Sequence, residues 1–256
     1  MLAPMSEHRT EARELMVDDA QGVRTVTIAR PSKKNAFTGA MYSAFADALE
    51  GFASDDGLRC LVVRARGDTF SAGNDLNDFL SLDGFDADTP VVRVLGALGS
   101  GDKPMLAAVD GAAVGIGTTL LLHCDLVYAT ERARFAAPFG PLGLVPEAAS
   151  SRLLVEQIGY RRAMAMFLLG EALDAGTAVS LGLVNALVPV DELDARVQAA
   201  AQHIAGLPDG AARATRQLCR AAPVSIAQTI DRENDRFSDR LSNEQTRAAI
   251  AAVLAR

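Results

Sequence analysis

Cysteine and histidine are scarce in this chain of 256 residues, which contains three of each. Cys60, Cys124 and Cys219 stand far apart and form no CxxC pair, so the sequence indicates neither disulfides nor thiolate metal sites. We expect reduced thiols that fill the core of a cytoplasmic protein. The histidines are equally scattered and provide neither metal-ligand spacing nor a Ser-His-Asp arrangement, so no metal is expected.

Long apolar runs and an excess of positive charge are also missing. No stretch reaches the roughly 18 apolar residues of a membrane-spanning helix, and residues 1–14 are polar, unlike a secretory leader. The formal net charge of −7 argues against broad contacts with nucleic acid or anionic membranes. With 49% hydrophobic and 22% charged residues, the composition is that of an ordinary globular protein.

Strand and helix patterns alternate along most of the chain. Strands are predicted at 14–17, 23–28 (after a turn at 18–22), 60–65, 106–109, 126–129, 134–137 and 183–188. Helices are predicted from Thr38 onward, at 91–98, and near 146–157, 160–169 and 174–181. An acidic surface loop is predicted at 82–89, and three helices from residue 191 to the end. The pattern indicates an α/β core, residues 13–190, followed by an all-helical segment, residues 191–256.

The stretch 104–125 is the one around which the rest is organised. An apolar strand, 106–109, is followed by a loop with Gly111, Gly115 and Gly117, and then by a helical pattern. Such a junction leaves backbone N–H groups directed at one spot. Three interpretations are compatible with it: a tight buried turn, a phosphate-binding loop, and an oxyanion hole that stabilises an enolate-like oxygen. The phosphate interpretation is weak, because the spacing matches neither GxGxxG nor GxxxxGKS/T.

A second glycine junction, Ser71-Ala72-Gly73-Asn74-Asp75-Leu76, follows the strand at 60–65. The two loops resemble those of the crotonase family, the enoyl-CoA hydratases and isomerases. The further motifs of this resemblance are Arg30-Pro31, Asn35-Ala36, Cys124-Asp125, Phe135 and the segment 173–188. The resemblance implies a spiral of β-β-α turns, a helical C-terminal segment that forms trimers or paired trimers, and an acyl-CoA thioester substrate. Coenzyme A then enters as part of the substrate, and no separate cofactor is expected.

The same resemblance implies an oxyanion hole made by the backbone N–H groups of Asn74 and Ile116. One such donor is worth about 3 to 4 kcal/mol of transition-state stabilisation. The residues implied to line the substrate path are Ala36, Ala72, Gly73, Asp75, Leu76, Gly115, Pro138 and Leu142. The candidates for contacts with the CoA phosphates are Lys33, Lys34 and Arg30, and the alternative for these cations is a solvated basic loop.

The two glutamates that hydratases of this family place around the attacking water are missing. Their positions hold Thr119 and Phe139, which cannot deprotonate water. Glu147, in a Pro-Glu pair, resembles the base of the peroxisomal-type Δ3,Δ2-enoyl-CoA isomerases, for which one base suffices. The alternative is structural: Pro146 would begin a helix, and Glu147 in its first turn would complement the helix dipole.

The sequence therefore predicts an enoyl-CoA isomerase of fatty-acid β-oxidation with Glu147 as its base. Three alternatives stay open. They are an enoyl-CoA hydratase with another base, a non-catalytic acyl-CoA binder or scaffold trimer, and, more remotely, a nucleotide-binding α/β protein.

Overall fold

Strands and helices alternate along the part of the chain that the computed structural model describes, residues 14–79, 88–221 and 244. The strands in these ranges are β1 (Leu15–Ala20), β2 (Val23–Ile28), β3 (Cys60–Ala65), β4 (Thr69–Ser71), β5 (Met105–Val109), β6 (Ala112–Val114), β7 (Leu126–Ala129), β8 (Arg134–Ala136), β9 (Leu173–Asp174) and β10 (Ala186–Leu187). The α-helices are α1 (Gly39–Ser54), α2 (Leu76–Phe79), α3 (Pro90–Ser100), α4 (Ile116–Thr119), α5 (Ser150–Ile158), α6 (Tyr160–Met164), α7 (Ala175–Ser180), α8 (Leu193–Ala205) and α9 (Ala211–Arg220). Short 3-10 turns occupy Pro31–Lys33, Leu120–His123 and Gly140–Leu142, and a π-helical turn occupies Ala165–Leu169.

The strands form two sheets, and successive turns of the chain add one strand to each. The larger sheet has the order β1-β2-β3-β5-β7-β10, and the smaller has the order β4-β6-β8-β9. The neighbours from β2 to β7 are parallel, as are β4, β6 and β8. Parallel neighbours need a crossover, and each crossover after β3 and β5 contains a strand of the smaller sheet and then a helix. The predicted α/β spiral of β-β-α turns is confirmed.

Both faces of the larger sheet are covered, which explains the continuous apolar runs of β3 and β5. On one face, Leu61 and Val63 pack in a core that includes Phe45 of α1. On the other face, Val62 packs in a second core that includes Val197 of α8. Helix α8, which lies in the segment after residue 191, therefore shares a core with the spiral.

Helix α1 forms where the sequence predicted it. The Thr38 side chain accepts a hydrogen bond from the backbone N–H of Met41 over 3.2 Å, which caps the helix. The predicted apolar stripe, Met41, Phe45, Leu49 and Phe52, is buried. These four side chains pack α1 against the core. They thereby fix the position of the other side chains of α1.

Several local predictions need correction. The hairpin turn is only Gln21 and Gly22, both with positive φ, because residues 18–20 continue β1. The strand predicted at 183–188 is limited to β10. Cys219 is exposed on α9 and does not fill the core, whereas Cys60 is buried.

Two other predictions fall partly outside the described residues. The acidic loop predicted at 82–89 is described only at its end, and the last of the three helices predicted from residue 191 falls after residue 221, largely outside the described residues. Among the described helices, none has the length and apolar character required to cross a membrane.

Candidate active site

The two glycine loops predicted to form an oxyanion hole are in contact. A Cβ added to Gly73 would lie 3.0 Å from the carbonyl oxygen of Val114 and 3.8 Å from the Cα of Gly115. Both glycines have positive φ, +91° and +56°, which favours glycine over other residues. The amides of Asn74 and Ile116 follow these glycines directly, and neither donates a hydrogen bond within the described part of the chain. The arrangement suits an oxyanion hole, and the role of the two amides stays a prediction.

Ile116 is the first residue of α4, so the helix begins one residue earlier than the pattern from Gly117 predicted. The helix has four residues and continues into the 3-10 turn Leu120–His123. A helix this short adds only a small dipole. Hydrogen bonding by the amides themselves would therefore be the main source of stabilisation at this position.

The basic loop at residues 31–35 supports the Asn74 loop. The N–H of Ala72 donates to the carbonyl oxygen of Lys34, and the Ser71 hydroxyl donates to that of Asn35, both over 2.9 Å. The side chains of Lys33 and Lys34 are exposed beside this junction. They are placed where a ligand could reach them, and their contact with CoA phosphates stays a prediction.

Arg30 is engaged within the protein, which disfavours the predicted phosphate contact. Its Nε lies 2.9 Å from Oε1 of Glu14, and its Nη1 lies 2.8 Å from Oδ2 of Asp75. The hydrogen bond from Arg30 lowers the pKa of Asp75. The Asp75 carboxylate also accepts a hydrogen bond from the N–H of Asn77 over 3.2 Å, and so caps α2. We therefore assign Arg30 and Asp75 to holding the Asn74 loop in place.

Glu147 lies in the turn before α5, not in the first turn of a helix. Ala148 and Ala149 have φ of 53° and 55°, so the backbone turns left-handed and the helix begins only at Ser150. The helix predicted near 146–157 is present, but its predicted start at Pro146 is wrong for this reason. The N–H and the hydroxyl of Ser150 both donate to the carbonyl oxygen of Glu147, over 2.9 and 2.6 Å. These bonds fix the main chain from which the glutamate side chain projects.

The carboxylate of Glu147 is directed into the protein. Its Oε1 accepts a hydrogen bond from the hydroxyl of Thr119, whereas its Oε2 is buried and has no partner among the described residues. Burial raises the pKa of Glu147, and the hydrogen bond from Thr119 opposes this rise. A carboxylate with a raised pKa and one unoccupied oxygen is suited to accepting a proton and returning it.

Tyr42 was not predicted as a site residue, but it contacts Asn74 and its pKa is affected by the charge of Glu147. Its hydroxyl donates to Oδ1 of Asn74. Burial raises its pKa well above the ordinary value, and the negative charge of Glu147 adds to the effect. Tyr42 is buried next to Met41 on α1, and its sequence surroundings give no sign of a polar contact.

Position 139, the second of the two positions at which hydratases have a glutamate, lies in apolar surroundings. Phe139 is buried, and its ring centroid lies 5.9 Å from that of Phe167. The other residues predicted to line the substrate path differ in exposure: Ala36, Ala72 and Pro138 are half-buried, and Leu76 and Leu142 are exposed. Their contacts with substrate stay predictions.

Comparisons with known proteins agree on one family. Residues 18–254 match the family model Enoyl-CoA hydratase/isomerase. The chain is 33% identical to 1,2-epoxyphenylacetyl-CoA isomerase of Escherichia coli (strain K12), over 92% of this chain and 93% of that protein. It is 36% identical to Enoyl-CoA delta isomerase 2 of Rattus norvegicus, over 82% of this chain and 55% of that protein. It is 31% identical to 2,3-dehydroadipyl-CoA hydratase of Escherichia coli (strain K12), over 94% and 95%.

A solved structure is similar over nearly the whole chain. It comes from Magnetospirillum magneticum AMB-1, and its name places it among the enoyl-CoA hydratases and carnithine racemases. The TM-score is 0.91 at 38% identity, over 95% of this chain and 96% of that one.

Proposed function

This chain belongs to the enoyl-CoA hydratase/isomerase family, and on that premise we propose that it converts a 3-enoyl-CoA thioester into the conjugated 2-enoyl-CoA thioester. The observation that carries the proposal is the buried carboxylate of Glu147, whose Oε2 is without a partner in the described part of the chain. A base is suited to proton transfer when one oxygen is unoccupied and its pKa is raised toward neutrality.

In the proposed reaction, Oε2 of Glu147 takes a proton from C2 of the substrate. The electrons move toward the thioester oxygen, where the N–H groups of Asn74 and Ile116 stabilise the resulting dienolate. The same carboxylic acid then returns the proton to C4, and the double bond moves from C3–C4 to C2–C3. One acid is sufficient, because a single proton leaves and re-enters the substrate.

Hydration of a 2-enoyl-CoA is the alternative, and the relatives carry both isomerase and hydratase names. Hydration must hold and deprotonate a water molecule and protonate the neighbouring carbon. Thr119 and Phe139 occupy the positions of the two hydratase acids, and Phe139 packs against Phe167. These residues favour the isomerase.

The experiment that tests the proposal offers the purified protein 3-enoyl-CoA and 2-enoyl-CoA in separate reactions and follows the absorbance of the conjugated thioester. We expect the absorbance to appear with 3-enoyl-CoA. We expect Glu147→Gln to lower kcat by about 100- to 10,000-fold, the usual contribution of a general base. The matched control is Glu156→Gln, because Glu156 is exposed on α5 and forms a surface ion pair with Arg152.

Each other outcome identifies a different function. Loss of conjugation from 2-enoyl-CoA would indicate the hydratase, and binding of both thioesters without turnover would indicate a non-catalytic binder. Undiminished isomerase activity in Glu147→Gln would contradict the role of Glu147.

We further propose that the protein is a homotrimer or a pair of trimers in the cytoplasm, assembled through the helical segment from residue 191. The support is the family resemblance. Light scattering on the purified protein should give three or six times the chain mass of 26.9 kDa. A mass of a single chain would reject this assembly.

A further inference from the structure

Thr119 and Ile116 lie one turn apart on the same short helix, α4. The backbone N–H of Thr119 donates to the carbonyl oxygen of Gly115 over 2.9 Å, and the residue is fully buried. Its position is therefore set by the same glycine that precedes the Ile116 amide. A shift of α4 would move the predicted oxyanion donor and the Thr119 hydroxyl together.

The Thr119 hydroxyl makes the two oxygens of Glu147 unequal. It donates to Oε1, while Oε2, also buried, has no partner in the part of the chain that the structure describes. Oε1 can accept this hydrogen bond whether or not Oε2 carries a proton, because a protonated carboxyl group retains a carbonyl oxygen. The contact can therefore persist through a cycle of proton uptake and release.

The neighbouring threonine shows that this contact is not a general property of α4. The Thr118 hydroxyl donates to the carbonyl oxygen of Ala113 over 2.6 Å and accepts from the N–H of Ala136 over 3.1 Å. Thr118 thus joins α4 to β6 and β8. Thr119, equally buried, directs its hydroxyl at the carboxylate.

We propose that Thr119 is a positioning residue that holds Oε1 of Glu147 and thereby makes Oε2 the oxygen that exchanges a proton with the substrate. The proposal rests on the proposed function for the identity of the reaction. The asymmetry of the carboxylate does not depend on which reaction occurs.

The first test measures the protonation of Glu147 in the absence of substrate. Infrared difference spectra as a function of pH should contain the carbonyl band of the protonated Glu147 carboxyl, identified by its loss in Glu147→Gln. In Thr119→Val the midpoint of this band should rise by about one pH unit, because a hydrogen bond to the charged form is lost. Thr119→Ser keeps a hydroxyl and should retain the original midpoint. Thr118→Val is the control for the loss of a buried hydroxyl on the same helix, and its midpoint should also stay unchanged.

The second test is the pH profile of kcat/KM with 3-enoyl-CoA. The acidic limb of Thr119→Val should move in the same direction as the infrared midpoint, and kcat should fall about tenfold with KM nearly constant. An unchanged infrared midpoint in Thr119→Val would overturn the proposal. If Thr119→Val does not fold, Thr119→Ala is measured in its place, with the same criterion. If the unmodified protein does not convert 3-enoyl-CoA, the proposed function fails, and the infrared titration still decides the role of Thr119.

Discussion

His123 donates a hydrogen bond from Nε2 to the carbonyl oxygen of Ala148, the residue after Glu147, over 2.9 Å. A carbonyl oxygen only accepts, so Nε2 carries the proton of the neutral ring and Nδ1 is left as an acceptor. Nδ1 lies 3.4 Å from a guanidinium nitrogen of Arg220 on α9. Helix α9 is thereby connected to the left-handed turn that follows Glu147.

The burial of His123 predicts a specific loss of stability in acid. Burial lowers its pKa, the hydrogen bond to the carbonyl oxygen of Ala148 opposes the shift, and the charges of Arg220 and Arg216 act in the same direction as burial. The unfolded chain takes up a proton as pH falls below the ordinary value of 6.5, whereas the folded protein does not. The stability contributed by neutral His123 is therefore complete above about pH 6.5 and is lost as pH falls toward the lowered pKa.

The variant His123→Gln removes the titration and keeps a side-chain N–H that can donate. Between about pH 7.5 and pH 5.5, the free energy of unfolding should fall less in His123→Gln than in the unmodified protein. Urea denaturation at both pH values measures the difference. Parallel pH dependence in the two proteins would contradict the prediction.

Glu147 is expected to weaken the fold at neutral pH. Its pKa is raised above the ordinary value of 4.5 by burial, so the unfolded chain loses this proton at lower pH than the folded protein does. The contribution of Glu147 to stability is therefore most favourable below about pH 4.5 and declines as pH rises through the raised pKa. Glu147→Gln should increase the free energy of unfolding at pH 8, because the neutral amide avoids the cost of burying a charge.

Thermal unfolding of Glu147→Gln at acidic and at basic pH tests this prediction. The gain in stability of Glu147→Gln over the unmodified protein should be largest at basic pH and should be smaller at acidic pH. Glu156→Gln, on the exposed surface of α5, should give no pH-dependent gain. A Glu147→Gln protein that is less stable at every pH would show that the carboxylate contributes to folding.

The contact between Gly73 and Val114 predicts that an alanine at position 73 separates the two glycine loops. The added Cβ would lie 3.0 Å from a backbone oxygen, so the loops must move apart. Gly159 is the control, because it has a similar φ of +84° and no atom of the described residues within 4 Å of an added Cβ. Each substitution should cost about 1 to 3 kcal/mol of stability through the backbone.

Activity separates the two glycine variants. Only Gly73→Ala should lower kcat with 3-enoyl-CoA by tenfold or more, which corresponds to about 1.4 kcal/mol. Urea denaturation and steady-state kinetics on both variants provide the comparison. Equal kcat values would argue against a close approach of the two amides.

Lys33 and Lys34 are predicted to affect substrate binding and not chemistry. Lys33→Ala and Lys34→Ala should raise KM for 3-enoyl-CoA without changing kcat, and the effect should weaken with added salt, which screens exposed charges. With a 3-enoyl-pantetheine thioester, which has no phosphates, neither variant should differ from the unmodified protein. Arg161→Ala, a change at an exposed cation on α6, is the control. If neither lysine substitution changes KM, the two lysines belong to a solvated basic loop and do not contact the CoA phosphates.

The positions of the glycines and of the apolar runs were sufficient to predict an α/β core with two glycine loops, whereas the spiral was implied by the resemblance to the crotonase family. Gly73 and Gly115 adopt conformations that few other residues tolerate, and β3 and β5 are apolar throughout because both of their faces are covered. Such constraints act on each residue through its own backbone or its own burial. They are therefore visible in the order of residue types along the chain.

The direction of the Glu147 carboxylate was decided by the tertiary structure alone. Pro146 and Glu147 have the local pattern of a helix start, yet the backbone turns left-handed at Ala148 and Ala149. The contact of Glu147 with Thr119 joins residues 28 positions apart, and that of Arg220 with His123 joins residues 97 apart. Periodicity reports which face of an element is buried, and it does not report which other element covers that face. The partners of Glu147 and His123 were therefore set by the packing of α4, α5 and α9, after the sequence had determined that these elements form.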